Sequence, residues 1–153
     1  MSHSSLAKIC LITIVSFGST QPALAGGHDS ENPAAEYRSQ VMETLGSSMS
    51  SFVDVLTGKV EAPGHLKVHA ATLARSAELV ADLFPEGSEG GDALPLIWEE
   101  PDKVAEAAQA SVDATAALVA AAESGDRGTS MQAFRNVGET CKACHERYKE
   151  EDD

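Results

Sequence analysis

The sequence predicts an all-α fold, an antiparallel up-down-up-down four-helix bundle. Four segments repeat apolar residues three or four positions apart, the spacing of a helix with one buried face. No segment alternates as a half-buried strand does. Most connections are short, which favours antiparallel neighbours.

The first helix starts at Asn32-Pro33, an N-cap followed by proline at the first helical position. Its stripe is Tyr37, Val41, Leu45, Met49, Phe52 and Leu56, and Gly58 stops it. The second starts near Pro63, buries Leu66, Ala70, Leu73, Ala77, Val80 and Phe84, and ends at Pro85. Residues 85–100 (PEGSEGGDALPLIWEE) form the longest irregular stretch, because their glycines and prolines oppose a helix. The stretch still holds Leu94, Leu96, Ile97 and the only tryptophan, Trp98, so it is expected to pack down onto the bundle. The third helix starts at Pro101, turns Val104, Ala108, Val112, Thr115, Leu118 and Ala122 inward, and ends at Gly125. The fourth runs from about Arg127 to Glu150 with a stripe of Met131, Phe134, Val137, Cys141, Cys144 and Tyr148. Both cysteines of that helix fall on its buried side.

The 153 residues suffice for one domain, expected over residues 26–153, after a leader of residues 1–25. Residues 1–8 carry one positive charge. Residues 9–17 (ICLITIVSF) are apolar, and residues 22–25 end in the small-x-small pattern at which a leader is cut. Nine apolar residues are too few to span roughly 30 Å of hydrocarbon, so no membrane span is expected after processing. Export to the periplasm follows from that reading. The net charge of −13, one unit more negative without Lys8, disfavours nucleic acid. It suits encounter with a basic patch on a partner protein.

Processing also removes Cys10 and leaves two cysteines three positions apart. They are too close to staple a fold, so they serve chemistry. The run Cys141-Lys142-Ala143-Cys144-His145 is C-x-x-C-H, the attachment signature of c-type haem. On a helix, positions i, i+3 and i+4 share a face. Two thiols so placed add to the two vinyl groups on one porphyrin edge, and the imidazole reaches the iron. The competing readings are a redox dithiol and a zinc site. A dithiol prefers a helix N-terminus, where the thiolate is stabilised. A zinc site needs further ligands, and no second C-x-x-C accompanies this one; the pair His65 and His69, four positions apart, stands far from it along the chain. The other mature histidines, His28, His65 and His69, lack a carboxylate at H-E-x-x-H spacing and read as surface residues. Nothing in the pattern suggests an enzyme.

A four-helix chain with C-x-x-C-H in its last helix resembles the cytochrome c-prime family, including its low-spin cytochrome c-556 members (the class II c-type cytochromes). Ordinary small cytochromes c carry the motif near the N-terminus. Three segments carry the resemblance: residues 36–42 (EYRSQVM), 88–98 (SEGGDALPLIW) and 137–148 (VGETCKACHERY). The resemblance implies one haem c per chain, covalent through Cys141 and Cys144, with His145 as proximal ligand. It places Arg38 near a haem propionate, Ser39 where relatives often have glutamine, and Asp92 near the haem edge. Lys149 stands where relatives often have arginine. A homodimer through the first two helices is implied as well, and Val55 is expected on the outer face of the first helix.

The same resemblance puts Met42 on the distal side of the iron, and two functions diverge there. In one, the iron is five-coordinate, Met42 covers it without bonding, and the apolar pocket takes NO or CO, with electron transfer alongside. In the other, Met42 ligates and the protein is a low-spin electron carrier. Met/His ligation raises the reduction potential, while methionine equally serves as a flexible apolar filler. Met49 and Met131 read as core.

Overall fold

The computed structural model describes residues 32–151. The expected leader, Cys10 and His28 lie outside the described residues. The elements in order are α1 (Pro33–Leu56), α2 (His65–Ala77), a 3₁₀ turn (Val80–Asp82), α3 (Leu96–Glu99), α4 (Pro101–Ser124) and α5 (Arg127–Tyr148). Helices α1, α2, α4 and α5 form the four-helix bundle, with α1 packing on α2, α2 on α4 and α4 on α5. Among the described residues no helix is long and apolar enough to cross a membrane.

The helix boundaries follow local chemistry. The Asn32 side chain accepts from the Ala34 N–H at 3.0 Å, with Pro33 at the first helical position. The Asp126 side chain accepts from the Thr129 N–H at 2.6 Å to open α5. Gly125 ends α4 at φ 75°, a left-handed conformation that glycine adopts without steric cost.

Four expectations need correcting. The second helix ends at Ala77, short of Pro85: the chain tightens into i→i+3 bonds, Asp82 N–H to Leu79 O and Leu83 N–H to Val80 O. The tighter winding turns Leu83 into the core and leaves Leu79 42% exposed. Tyr37 is 53% exposed, because the buried face of the first turns of α1 is made by Ala35 and Arg38. Val55 is buried and so contributes nothing to an outer face. The last helix stops at Tyr148, because Lys149 turns extended and forms an isolated antiparallel bridge with Ala93.

The core is split. Phe52, Leu56, Leu73, Leu118 and Val137, with small Ala70, Ala121, Ala122 and Ala133, form the larger cluster. The Phe52 and Phe134 rings stack there at 5.6 Å. Ile97, Val104 and Tyr148 form the smaller one, with Phe84, Trp98 and Leu96 packed against it. Cys141 borders the first cluster and Cys144 the second. Leu118 is fully buried in the larger cluster. Leu118→Ala should therefore cost about 2–5 kcal/mol by denaturant titration of the holoprotein. A loss below about 0.5 kcal/mol, the usual size of a surface effect, would contradict this packing.

Candidate haem site

The C-x-x-C-H residues occupy the last two turns of α5. Cys141 and Cys144 are half-buried and not joined to each other, and His145 is exposed on the flank of the same helix. Burial pushes both thiols up, and at Cys144 the neighbouring Cys141 adds to the effect. A redox dithiol needs the opposite shift, toward thiolate. Among the described residues no group of three or more His, Cys, Asp or Glu could hold a metal ion by itself.

Two cavities meet beside this helix end. The outer one, about 310 Å³, is bordered by Arg38, Ser39 and Met42 of α1, by Phe84, Asp92 and Ala93 of the connecting segment, and by Cys144, His145 and Lys149 at the end of the chain. The inner one, about 180 Å³, runs into the bundle past Leu45, Met49, Val137 and Cys141. Met42, Phe84, Cys144 and His145 border both. The structure thus brings together all the residues singled out in the sequence: Arg38, Ser39, Met42, Asp92, Cys144 and His145 around the outer cavity, Cys141 on the inner. The donor set fits a haem. Two thiols and an imidazole share one helix flank, an apolar slot opens beside them, and a guanidinium stands at its mouth.

Arg38 is buried at 5% exposure. Its Nη1 donates to Leu83 O at 3.2 Å and to Ser88 O at 3.0 Å, and its Nη2 to Gly90 O at 2.6 Å. The guanidinium lies 5.2 Å from the Phe84 ring centre and 5.5 Å from that of Trp98. Burial pushes its pKa below the ordinary guanidinium value. Asn32 reinforces the same segment, its Nδ2 donating to Gly87 O and Glu89 O at 2.9 Å each. The Trp98 Nε1–H donates to Pro85 O and Ser88 Oγ, both at 3.2 Å. Trp98 was legible as the apolar anchor of an irregular stretch; its polar partners, and Ser88, had no sequence signal.

The far side of the segment is tied to the end of α5. Leu94 N–H donates to Tyr148 O and Glu150 N–H to Asp92 O, both at 2.8 Å. Lys149 Nζ lies 3.8 Å from Asp92 Oδ2, so this lysine pairs across the cavity rim. Sequence reading also missed Glu100. Its carboxylate accepts from Arg147 Nη2 at 2.6 Å and Nε at 2.8 Å, and from Lys103 Nζ and Tyr148 Oη at 2.8 Å each. These contacts clamp the start of α4 to the end of α5, beside the attachment motif.

The chain matches the sequence model of the family described as Cytochrome C' over residues 33–149. It is 32% identical to the cytochrome c' of Pararhodospirillum photometricum, over 75% of this chain and 94% of the relative. It is also 32% identical to a cytochrome c-556 of Agrobacterium tumefaciens, over 74% and 94%. A solved cytochrome c' from Alcaligenes xylosoxidans, a ferrous variant with bound NO, superposes with a TM-score of 0.73 at 31% identity, covering 81% of this chain and 100% of that one. Another variant of that protein carries carbon monoxide. Bundle and motif together define a c-type haem cytochrome built on four helices. The chain belongs to the cytochrome c' family, and its cofactor is haem c, held covalently by Cys141 and Cys144.

The Arg147 guanidinium, with Lys103 and Tyr148, holds the Glu100 carboxyl down to about 2 from its ordinary 4.5. A lowered carboxyl contributes stability above its unfolded value and loses it as pH falls toward the folded one. Glu100→Gln should lower the Tm of the holoprotein at neutral pH, and the deficit should fade between pH 4.5 and 2. A deficit independent of pH would contradict the clamp.

Proposed function

We propose that this chain is a periplasmic gas-binding cytochrome, with His145 as the proximal ligand of a five-coordinate iron and Met42 covering the distal face. When bound, haem supplies an iron that takes up a diatomic ligand or an electron. The observation that carries the reading is the chemistry of the inner cavity. Besides His145 and the cysteines, its polar side chains are Ser111 and Thr115, and their hydroxyls already donate to helix carbonyls. Ser111 Oγ donates to Ala107 O, and Thr115 Oγ1 to Ser111 O and Val112 O. A pocket that offers no side-chain donor to a bound ligand favours NO and CO over dioxygen, whose bound form gains from one. The protein then acts as a ligand-binding and electron-exchanging module, not as an enzyme.

Around the slot, each residue has a role of its own. Arg38 meets a haem propionate with the part of its donor fork that the loop carbonyls leave over. Ser39 offers a hydroxyl at the same rim. Asp92, paired with Lys149, fixes the loop edge. Export rests on the leader read in residues 1–25, and the domain is the remainder, 26–153. Exposed Tyr37, Val60, Val68 and Leu79 all lie on or beside the first two helices, which supports a homodimer through those helices.

A second reading is supported by Met42 and His145 bordering the same two cavities, and by the likeness to a cytochrome c-556. In it Met42 ligates and the chain is a six-coordinate electron carrier. Optical spectra of the ferric and ferrous protein separate the two. Broad high-spin bands are expected; a sharp low-spin ferrous α band would overturn five-coordination. Met42→Ala should speed CO association by about tenfold, the equivalent of about 1.4 kcal/mol of barrier. An unchanged rate would mean that Met42 does not cover the ligand site.

A further inference from the structure

His65 and His69 stand four positions apart on α2, away from the haem site: neither borders the outer or the inner cavity. On a helix, positions i and i+4 share a face. A helical side chain also leans toward the N-terminus, so the His69 ring is carried back over the turn that holds His65. The two ring centres lie 6.2 Å apart, edge to face. His65 is exposed and His69 half-buried. Among the described residues neither side chain enters a hydrogen bond or an ion pair, so the ring nitrogens are not engaged elsewhere.

This spacing is the bite of a chelate. An imidazole nitrogen binds a transition ion at about 2.0–2.1 Å, which puts the ring centre roughly 3 Å from the metal. Two rings on one ion therefore have their centres at most about 6.5 Å apart, and about 4.5–5 Å apart at square-planar or tetrahedral angles. The observed 6.2 Å falls within the outer limit, and rotation of the exposed His65 ring between its rotamers supplies the closure. The surroundings suit a hydrated cation. His69 borders a polar groove of about 490 Å³ between α1 and α2, together with Glu43, Ser47, Ser48 and Ser51. Metal-bound water in that groove meets carboxylate and hydroxyl acceptors, the outer contacts that orient a coordination sphere. The net charge of −13 draws cations toward the surface.

We propose that His65 and His69 form a binding site for an exchangeable divalent late-transition ion, Cu²⁺ above the others. Imidazole ligands suit copper, nickel and zinc, and affinity along the series peaks at Cu²⁺. Among the described residues no third His, Cys, Asp or Glu completes the set, so water fills the remaining positions and the ion exchanges with the medium. The site is separate from the haem and independent of how the iron is coordinated.

The test is Cu²⁺ titration of the ferric holoprotein by calorimetry and electron paramagnetic resonance. The chain used carries His28→Ala, so that His65 and His69 are the only mature histidines besides His145. One Cu²⁺ per chain is expected, with hyperfine splitting from two imidazole nitrogens. His65→Ala and His69→Ala should each weaken binding about tenfold or more, with the haem spectrum unchanged. Moving the second ring to position 68 (His69→Ala with Val68→His) should restore binding in part, since positions i and i+3 share a face. Moving it to position 67 (His69→Ala with Lys67→His) should not, since positions i and i+2 do not. An affinity unchanged by either alanine substitution, or restored at position 67, would overturn the proposal. The protein is titrated in the oligomeric state it adopts: a homodimer that covered this face would take up no Cu²⁺, and that result would overturn the proposal as well.

Discussion

The Arg38 guanidinium is held inside the protein by backbone carbonyls, and the open end of the bundle is arranged around it. Burying a cation is costly unless its donors are engaged. Here the carbonyls of Leu83, Ser88 and Gly90 engage them, and two aromatic faces flank the charge. Arginine suits the position because its charge survives a downward shift from so high a value. The same bonds fix a glycine-containing segment that has little secondary structure of its own. Phe84 and Asp92 thereby acquire defined places on the cavity wall. The bridge between Ala93 and Lys149 fixes the other side of that segment to α5. One buried cation thus couples the first helix to the helix that carries the attachment motif.

The division of the core gains meaning from this arrangement. One apolar cluster fills the bundle and ends at Cys141, and the other lies under the connecting segment and ends at Cys144. The two thiols of a single motif stand at the edges of two clusters, with the cavities between. A flat apolar cofactor bonded at both sulfurs would lie between the clusters and join them into one core. Its burial would add apolar contact where the polypeptide leaves a slot, which would link attachment to folding.

Much of the fold was legible in the sequence because its signals are local. Asn32-Pro33, Pro101, Gly125 and the residues after it set helix ends through interactions within a few positions. The attachment motif was legible for the same reason: its spacing matches one turn of helix. What was not legible depends on distance along the chain. Arg38 reads as a surface or propionate-facing charge, yet its partners lie 45–52 positions away and are carbonyls, which every residue carries. Glu100 carries no local signal at the end of the irregular stretch, and only the packing of α4 on α5 brings Arg147 and Tyr148 to it. Tyr37 shows the limit of apolar patterning, since small Ala35 is buried and the larger aromatic stays out. The early end of α2 arose from a shift to tighter winding that the continuing apolar pattern concealed.

The function then follows from two faces of one slot. The α5 face supplies covalent attachment and an imidazole, and the α1 face supplies a thioether and a buried cation. The two proposed readings, Met42 as cover and Met42 as ligand, give different functions, but both presuppose that the cofactor is bonded to the final helix. The most direct test of that premise is the intact mass of the purified, processed protein from a haem-competent host, measured after full denaturation. Two thioether bonds at Cys141 and Cys144 require the mass of the polypeptide plus one haem, with the chromophore travelling with the unfolded chain. The mass of the bare polypeptide, with haem released on unfolding, would contradict the site at its foundation.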